Sequence, residues 1–191
     1  MKIPLTDADV TFLPNFIALS ESKVLAQQLY ADIPWRHDEL MMYGKPVKVP
    51  RLQAWYGDQG TDYTYSQLTM APLPWTNQLL TLKQQISEAT NAEFNSVLVN
   101  CYRNHQDSVS WHSDDEPELG EMPVIASLSL GAERFFHLKH KFKPLSHKFK
   151  LPSGSLLIMK GNTQKYWQHA VLKSRIYAPM RINLTFRKII K

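Results

Sequence analysis

Arg181-Ile182-Asn183-Leu184-Thr185-Phe186-Arg187 sets polar and apolar residues in strict alternation. Successive side chains of a strand point to opposite faces. Arg181, Asn183, Thr185 and Arg187 therefore share one face, and Ile182, Leu184 and Phe186 the other. A half-exposed surface strand would show the same pattern. If the apolar face packs on outer helices, however, both arginines point into the mouth of a barrel, where a buried guanidinium demands an anion. The planar fork of arginine matches a carboxylate, so two of them suit a dicarboxylate. Asn100 and Tyr102 alternate onto one face of Val99-Asn100-Cys101-Tyr102-Arg103 in the same way, and their polar groups suit hydrogen bonds to a keto acid. Cys101, on the other face, reads as a small core residue rather than a nucleophile.

Working outward, short runs with two-residue alternation recur at Ser96–Tyr102, 124–130, 134–138, 155–159 and 182–186. Ahead of them lie two helical patterns. Residues 20–33 carry Val24, Leu25, Leu29 and Ile33 at helical spacing, with Ser20 placed to cap and Pro34 to stop. Residues 76–90 carry Leu79, Leu82 and Ile86 on one stripe. Early helices followed by many short strands predict a β-sandwich or barrel with helices on its outside. The first ninety or so residues then form scaffold and accessory elements, and the last hundred the chemical core.

A chain of 191 residues with 43% hydrophobic and 20% charged residues has the composition of one compact globular domain. A single cysteine excludes a disulfide framework and any site built from several thiolates. No apolar run approaches the ~20 residues that span a bilayer, and the first fifteen residues have no signal-like core. A soluble protein of a reducing compartment is expected. Charge is segregated: residues 1–133 hold eight Lys/Arg against seventeen Asp/Glu, while residues 134–191 hold fourteen Lys/Arg and no acid. This is either a positive face for a polyanion, nucleic acid first, or two halves that neutralise each other across an internal interface.

His112-Ser113-Asp114 offers an imidazole and a carboxylate on one strand face, and His169 stands fifty-five residues beyond Asp114. Two histidines and one carboxylate on one side of an ion leave its other side open, the facial arrangement that suits ferrous iron in oxygenases. An unrelated surface His and Asp produce the short motif often, so it gains weight only from its company.

In combined order, Asn100-x-Tyr102, His112-x-Asp114, Ser127-x-Ser129-x-Gly131, His169 and Arg181-x-Asn183-x-Thr185-Phe186-Arg187 resemble the AlkB family of iron(II)/2-oxoglutarate dioxygenases, which repair alkylated nucleic-acid bases. The match runs from about residue 42 to the end. It includes Pro50-Arg51-Leu52-Gln53-Ala54-Trp55-Tyr56-Gly57, Tyr63-Thr64-Tyr65-Ser66 and Trp111-His112-Ser113-Asp114-Asp115-Glu116-Pro117. It is nearest to the branch with the human DNA-repair homologues.

The resemblance implies a mainly β fold with flanking helices, a double-stranded β-helix or jelly roll with an N-terminal nucleotide-recognition lid. One domain would cover residues 1–191, with helical buttress and lid over about 1–90 and the catalytic core over about 91–191. It implies His112, Asp114 and His169 as iron ligands and catalytic centre. Asn100, Tyr102, Arg181, Thr185 and Arg187 become 2-oxoglutarate contacts, with Asn183 beside them. Ferrous iron, 2-oxoglutarate and O2 are the implied cofactors. The implied reaction demethylates 1-methyladenine- and 3-methylcytosine-type bases and releases formaldehyde and succinate, with no side-chain nucleophile.

A base nitrogen inside a duplex is unreachable, so the nucleotide must be flipped or unpaired, and aromatic faces must receive it. Substrate contacts are implied at Arg51, Tyr63 and Tyr65, with Trp55 and Tyr56 either lid aromatics or core. Asp115 and Glu116 would favour the cationic methylated base, or form a plain acidic loop. Tyr43 is either a finger inserted into the stack or an ordinary turn before Pro46. Lys139, His140, Lys141, Lys143, Lys173 and Arg175 are candidate phosphate contacts. The expected partner is alkylated DNA, single- or double-stranded, met by a monomer that is cytoplasmic in a bacterium or nuclear in a eukaryote. The alternatives are the same oxygenase chemistry on RNA, and a non-catalytic nucleic-acid-binding module of this fold.

Overall fold

The computed structural model describes residues 1–42, 44–65 and 68–190, with the backbone alone for Met42, Tyr63–Tyr65 and Leu68. Strands β1 (Lys2–Ile3) and β2 (Asp9–Leu13) precede helix α1 (Leu19–Asp32). Two hairpins follow: β3 (Glu39–Met42) with β4 (Lys45–Lys48) and, after β5 (Leu52–Gly57), β6 (Tyr63–Tyr65) with β7 (Leu68–Met70). Helix α2 (Asn77–Thr90) leads into β8 (Ser96–Tyr102) and β9 (Val109–His112). The chain continues through β10 (Ile125–Gly131), β11 (Arg134–His140), β12 (Ser146–Leu151), β13 (Ser155–Lys160), the short α3 (Thr163–Tyr166), β14 (Trp167–Val171) and β15 (Arg181–Arg187).

The strands build two antiparallel sheets. The major sheet has the order β1-β2-β13-β10-β15-β8-β5, and the minor sheet β12-β11-β14-β9. Trp55, Leu98, Ile125 and Met159 of the major sheet meet Val109, Phe136, Leu138 and Trp167 of the minor sheet in one core. Leu25 and Leu29 of α1 and Leu79, Leu82 and Ile86 of α2 cover the opposite face of the major sheet, where they meet Ile182, Leu184 and Phe186. The apolar face of β15 thus packs on outer helices, and its polar face turns into the space between the sheets. The result is a jelly roll with helical buttresses on one sheet.

Two details of the sequence reading are corrected. Ser20 does not cap α1: the cap position is Ala18, with no side-chain hydrogen bond, and Val24 is 53% exposed. The helix instead buries Ser22, Leu25, Ala26 and Leu29, and the Ser22 hydroxyl is satisfied by the Leu19 carbonyl and Ser153 Oγ. Nor is the first part of the chain only scaffold, because β1, β2 and β5 form both edges of the major sheet. Residues 52–57 are buried along nearly their whole length, so they lack the alternation that would announce a strand.

Part of the charge segregation, six of the fourteen basic residues of 134–191, resolves into internal pairing. Lys141–Asp115, Lys143–Asp7, Lys150–Glu133, Lys160–Asp9, Arg187–Asp114 and Lys188–Glu93 all join the basic C-terminal part to the acidic N-terminal part. His140 is not an exposed phosphate contact: it is buried, with Nε2 3.2 Å from Asp7 and Nδ1 accepting the backbone N–H groups of Phe142 and Lys143. Among the described residues no helix is long and apolar enough to cross a membrane.

Candidate active site

β9 and β14 pair so that His112 lies directly opposite His169, and the two ring centroids are 4.2 Å apart. Asp114 follows just past the end of β9, its backbone N–H donating to Gln164 Oε1 at 2.9 Å. One donor atom from each of His112, Asp114 and His169 lies within 4.8 Å of the others. His112 Nδ1 is 2.8 Å from the Ser110 carbonyl. A carbonyl only accepts, so Nδ1 carries the proton and Nε2 keeps its lone pair for a metal. Phe136 stacks on the His169 ring at 5.3 Å and fixes its plane.

The electrostatics prepare the same site. Burial alone would raise the Asp114 pKa, but Arg187, then His169 and His112, outweigh it and hold the carboxyl at about 2. Arg187 Nη2 donates to Asp114 Oδ1 at 2.5 Å, while Oδ2 is buried with no hydrogen-bond partner. For His169, burial and the neighbouring His112 push the pKa down to about 3. At neutral pH the cluster thus holds an ionised carboxylate and, at His169, a neutral imidazole, the protonation states that coordinate a divalent cation. A buried carboxylate oxygen 3.6 Å from His169 Nε2, with no hydrogen-bond partner among the described residues, fits a metal.

The cavity beside the cluster is walled by β8, β10 and β15. Asn100, Tyr102, Arg181, Asn183, Thr185 and Arg187 all line it, as do Arg51 and Ser127. Arg181 is 1% exposed. Its Nη2 donates to Ser129 Oγ, its Nε and Nη1 have no partner of hydrogen-bond geometry among the described residues, and its guanidinium lies 5.1 Å from the Tyr102 ring centroid. Burial lowers its pKa, so an anion placed there would be strongly favoured. Gly131, opposite Arg181 in the sheet, has φ of 84°, and a Cβ there would meet the Met180 carbonyl oxygen at 2.5 Å. Only glycine keeps that corner closed.

Arg187 is the informative departure. Both arginines of β15 line the cavity, but their partners differ: Arg187 pairs with Asp114, and Arg181 donates to Ser129 Oγ. Asn183 and Thr185 are tied inward, Asn183 Nδ2 donating to Ser127 Oγ and the Leu128 carbonyl, and Thr185 Oγ1 to Asn183 Oδ1. Arg51, expected to meet substrate, lies in the cavity wall and donates to Asn100 Oδ1 and the Ser108 carbonyl. Asp115 lies outside this cavity, 56% exposed at its side chain and paired with Lys141 at 2.9 Å; Glu116 does not line the cavity either. Tyr43 lies outside the described residues, as do the side chains of Tyr63 and Tyr65, whose backbone forms β6. Trp55 and Tyr56 are buried core residues rather than lid aromatics.

Three supporting residues escaped the sequence reading. Gln53 Nε2 donates to Asn100 Oδ1, so that oxygen receives both Gln53 and Arg51 and the Asn100 amide is held in one orientation. Gln164 orients Asp114. Buried Arg134 binds the carbonyls of Asn104, Asp107 and Leu172 and ties the β8–β9 link to the end of β14. Gln53 lies inside a matched run, but no local signal marks any of the three as polar and buried.

The profile of the 2OG-Fe(II) oxygenase superfamily matches residues 9–187. The chain is 46% identical over 190 residues to alpha-ketoglutarate-dependent dioxygenase alkB homolog 3 of Bos taurus, covering 94% of this chain and 66% of that protein. It is 37% identical over 189 residues to DNA oxidative demethylase ALKBH2 of Homo sapiens, covering 90% and 70%. The chain therefore spans about two thirds of the length of these relatives. The solved structure of OsALKBH1 superposes with a TM-score of 0.68 at 18% identity, covering 94% of this chain and 97% of that one, and shares the fold.

Proposed function

The chain belongs to the 2OG-Fe(II) oxygenase superfamily, and from that premise we propose that it removes N-alkyl groups from 1-methyladenine- and 3-methylcytosine-type bases in DNA. One observation carries the reading: an intact His112–Asp114–His169 cluster and an open Arg181 share one cavity in a chain similar to a DNA oxidative demethylase. His112, Asp114 and His169 would hold the iron. Bound there, ferrous iron with 2-oxoglutarate and O2 would supply the oxidation of an N-methyl carbon, one oxygen atom going to that carbon, which leaves as formaldehyde, and the other to the keto acid, which leaves as succinate and carbon dioxide.

The protein's own contribution is placement. Arg181 receives the far carboxylate of 2-oxoglutarate, supported by Ser129 and the Tyr102 ring. Asn100 offers its amide N–H groups to the keto acid, because Arg51 and Gln53 both occupy its oxygen. Arg187 keeps Asp114 ionised and turned toward the metal. The methylated base is cationic, and Asp115 and Glu116 meet it at the mouth. Its exposed pairing with Lys141 is worth only ~0–1 kcal/mol, so Asp115 is readily released to a base. Tyr43, Tyr63 and Tyr65 are the proposed base contacts on the two hairpins. The working unit is a monomeric single domain, bacterial-cytoplasmic or eukaryotic-nuclear.

The test follows a DNA oligonucleotide carrying one 1-methyladenine by mass spectrometry. Loss of one methylene should require both ferrous iron and 2-oxoglutarate and should vanish in His112→Ala. Succinate formed without any base repair would refute the DNA reading, and faster repair of the same strand as RNA would transfer it to RNA.

A further inference from the structure

The outer face of the minor sheet carries an organised set of rings and cations that the active site does not use. Along β11 the side chains alternate, so Arg134, Phe136, Leu138 and His140 are buried while Phe135, His137 and Lys139 face out. Trp111 faces out from β9 in the same layer, one residue before the inward His112. Phe135 and His137 have centroids 6.2 Å apart, and His137 and Trp111 6.4 Å. Cations lie over this ladder: Lys139 Nζ is 4.6 Å from the Trp111 ring, and Lys148 and Lys150 of β12 are 5.3 and 5.7 Å from Phe135. Among these lysines Lys150 also meets a carboxylate, Glu133 at 2.8 Å.

A ladder of rings interleaved with lysines is unusual for an ordinary solvated sheet face. Phe135 is 42% exposed, which costs solvation without contributing to the core. Rings that receive bases and ammonium groups that receive phosphates are what an unpaired nucleic-acid strand requires. A duplex hides its base faces and gains nothing from Phe135. Base stacking on an aromatic ring is worth about five- to a hundredfold in affinity, against about two- to fivefold for an exposed cation–π contact. An arriving base therefore displaces a lysine from its ring, and the freed ammonium turns to the phosphate.

We propose that the outer face of the minor sheet, centred on Phe135, His137 and Trp111 with Lys139 and Lys148, is a second binding site for single-stranded nucleic acid flanking the reacting base. It rests on the nucleic-acid reading of the active site. The strand leaves the cavity mouth and wraps onto the back of the sheet that carries His112 and His169.

Length dependence tests it. Fluorescein-labelled single-stranded oligodeoxynucleotides of about 5 and about 20 nucleotides, each with one 1-methyladenine, are titrated with the manganese(II)-loaded protein, the shorter being too short to reach both sites. Phe135→Ala should weaken the long strand about tenfold and leave the short one within about twofold, and Phe135→Trp should restore the long-strand affinity. Lys148→Glu, which leaves the rings in place, should reduce long-strand affinity and its salt dependence together. The same long strand as RNA distinguishes which nucleic acid the face prefers. Equal losses at both lengths, or none at the longer, would overturn the second site. Continued repair of the short strand by iron-loaded Phe135→Ala would show that the active-site reading survives such a result.

Discussion

Arg181 and Arg187 sit six residues apart on one strand face, yet their surroundings assign them different work. Arg187 meets Asp114 at 2.5 Å and, with His169 and His112, outweighs the burial that acts to raise its pKa. Arg181 is buried against Ser129 Oγ and the Tyr102 ring, with no carboxylate among its described partners. Methionine at each position separates the two. Arg187→Met should weaken metal binding about 10- to 100-fold, since loss of an outer partner leaves a ligand less ionised and less fixed. Arg181→Met should leave metal affinity unchanged and raise the KM for 2-oxoglutarate about tenfold or more, the loss of a charge-assisted hydrogen bond. Metal titration by calorimetry and succinate kinetics read the two separately. Matching effects of both substitutions on both measurements would refute the division of labour.

At the scale of elements, the link between β8 and β9 is held by an internal ion pair and by Arg134. Asp107 accepts the backbone N–H, Nε and Nη2 of Arg103, and Arg134 binds the Asp107 carbonyl from below. Burial acts to raise the Asp107 pKa, but the Arg103 hydrogen bonds outweigh it and leave it lowered. A carboxyl depressed on folding contributes stability that is present above its unfolded value, about pH 4, and lost as pH falls through the folded value. Asp107→Asn should therefore melt lower than wild type at pH 7, and the gap should close as pH drops below about 4. A gap that stays constant across that range would exclude the ionised pair as its source. This link was not legible in the sequence, because its partners come from three separate segments. Strands β8 and β15 were legible: their side chains alternate between an apolar face and one that carries the polar residues, and that periodicity survives any packing. β5 was not, since burial on both faces erases the period. The iron triad and Arg181 were recognisable from order and spacing, but the partner that claims Arg187 depends on how close the two sheets approach, which no local pattern encodes.

For the whole molecule, the two sheets share an apolar core, and the cavity lies between them against residues of that core, Leu98, Val109, Phe136 and Met159 among them. His112, Asp114 and His169 belong to the minor sheet and its margin, and Asn100, Arg181 and Arg187 to the major sheet. Among the described residues, Asp114 Oδ2 and Arg181 Nε and Nη1 are buried without hydrogen-bond partners, one on the margin of the minor sheet and the others on the major sheet. Filling the cavity joins the sheets through ligands that bind only the folded chain. At a hundredfold excess over its dissociation constant, one such ligand adds ~2.7 kcal/mol of stability. For a chain of this length that corresponds to about 5–10 °C in Tm. Manganese(II) and 2-oxoglutarate should each raise Tm, and together by more than the sum, because each neutralises charge that the other faces. Stripping metal with a chelator should lower Tm and shrink the response to 2-oxoglutarate to its metal-free value, and His112→Ala should lose the response to manganese(II). Arg181→Met should keep the response to manganese(II) and lose most of the response to the keto acid. Scanning calorimetry of the four combinations gives the coupling directly. Strict additivity would mean that the two halves of the cavity act independently, and that the sheets are held at this end by the protein alone.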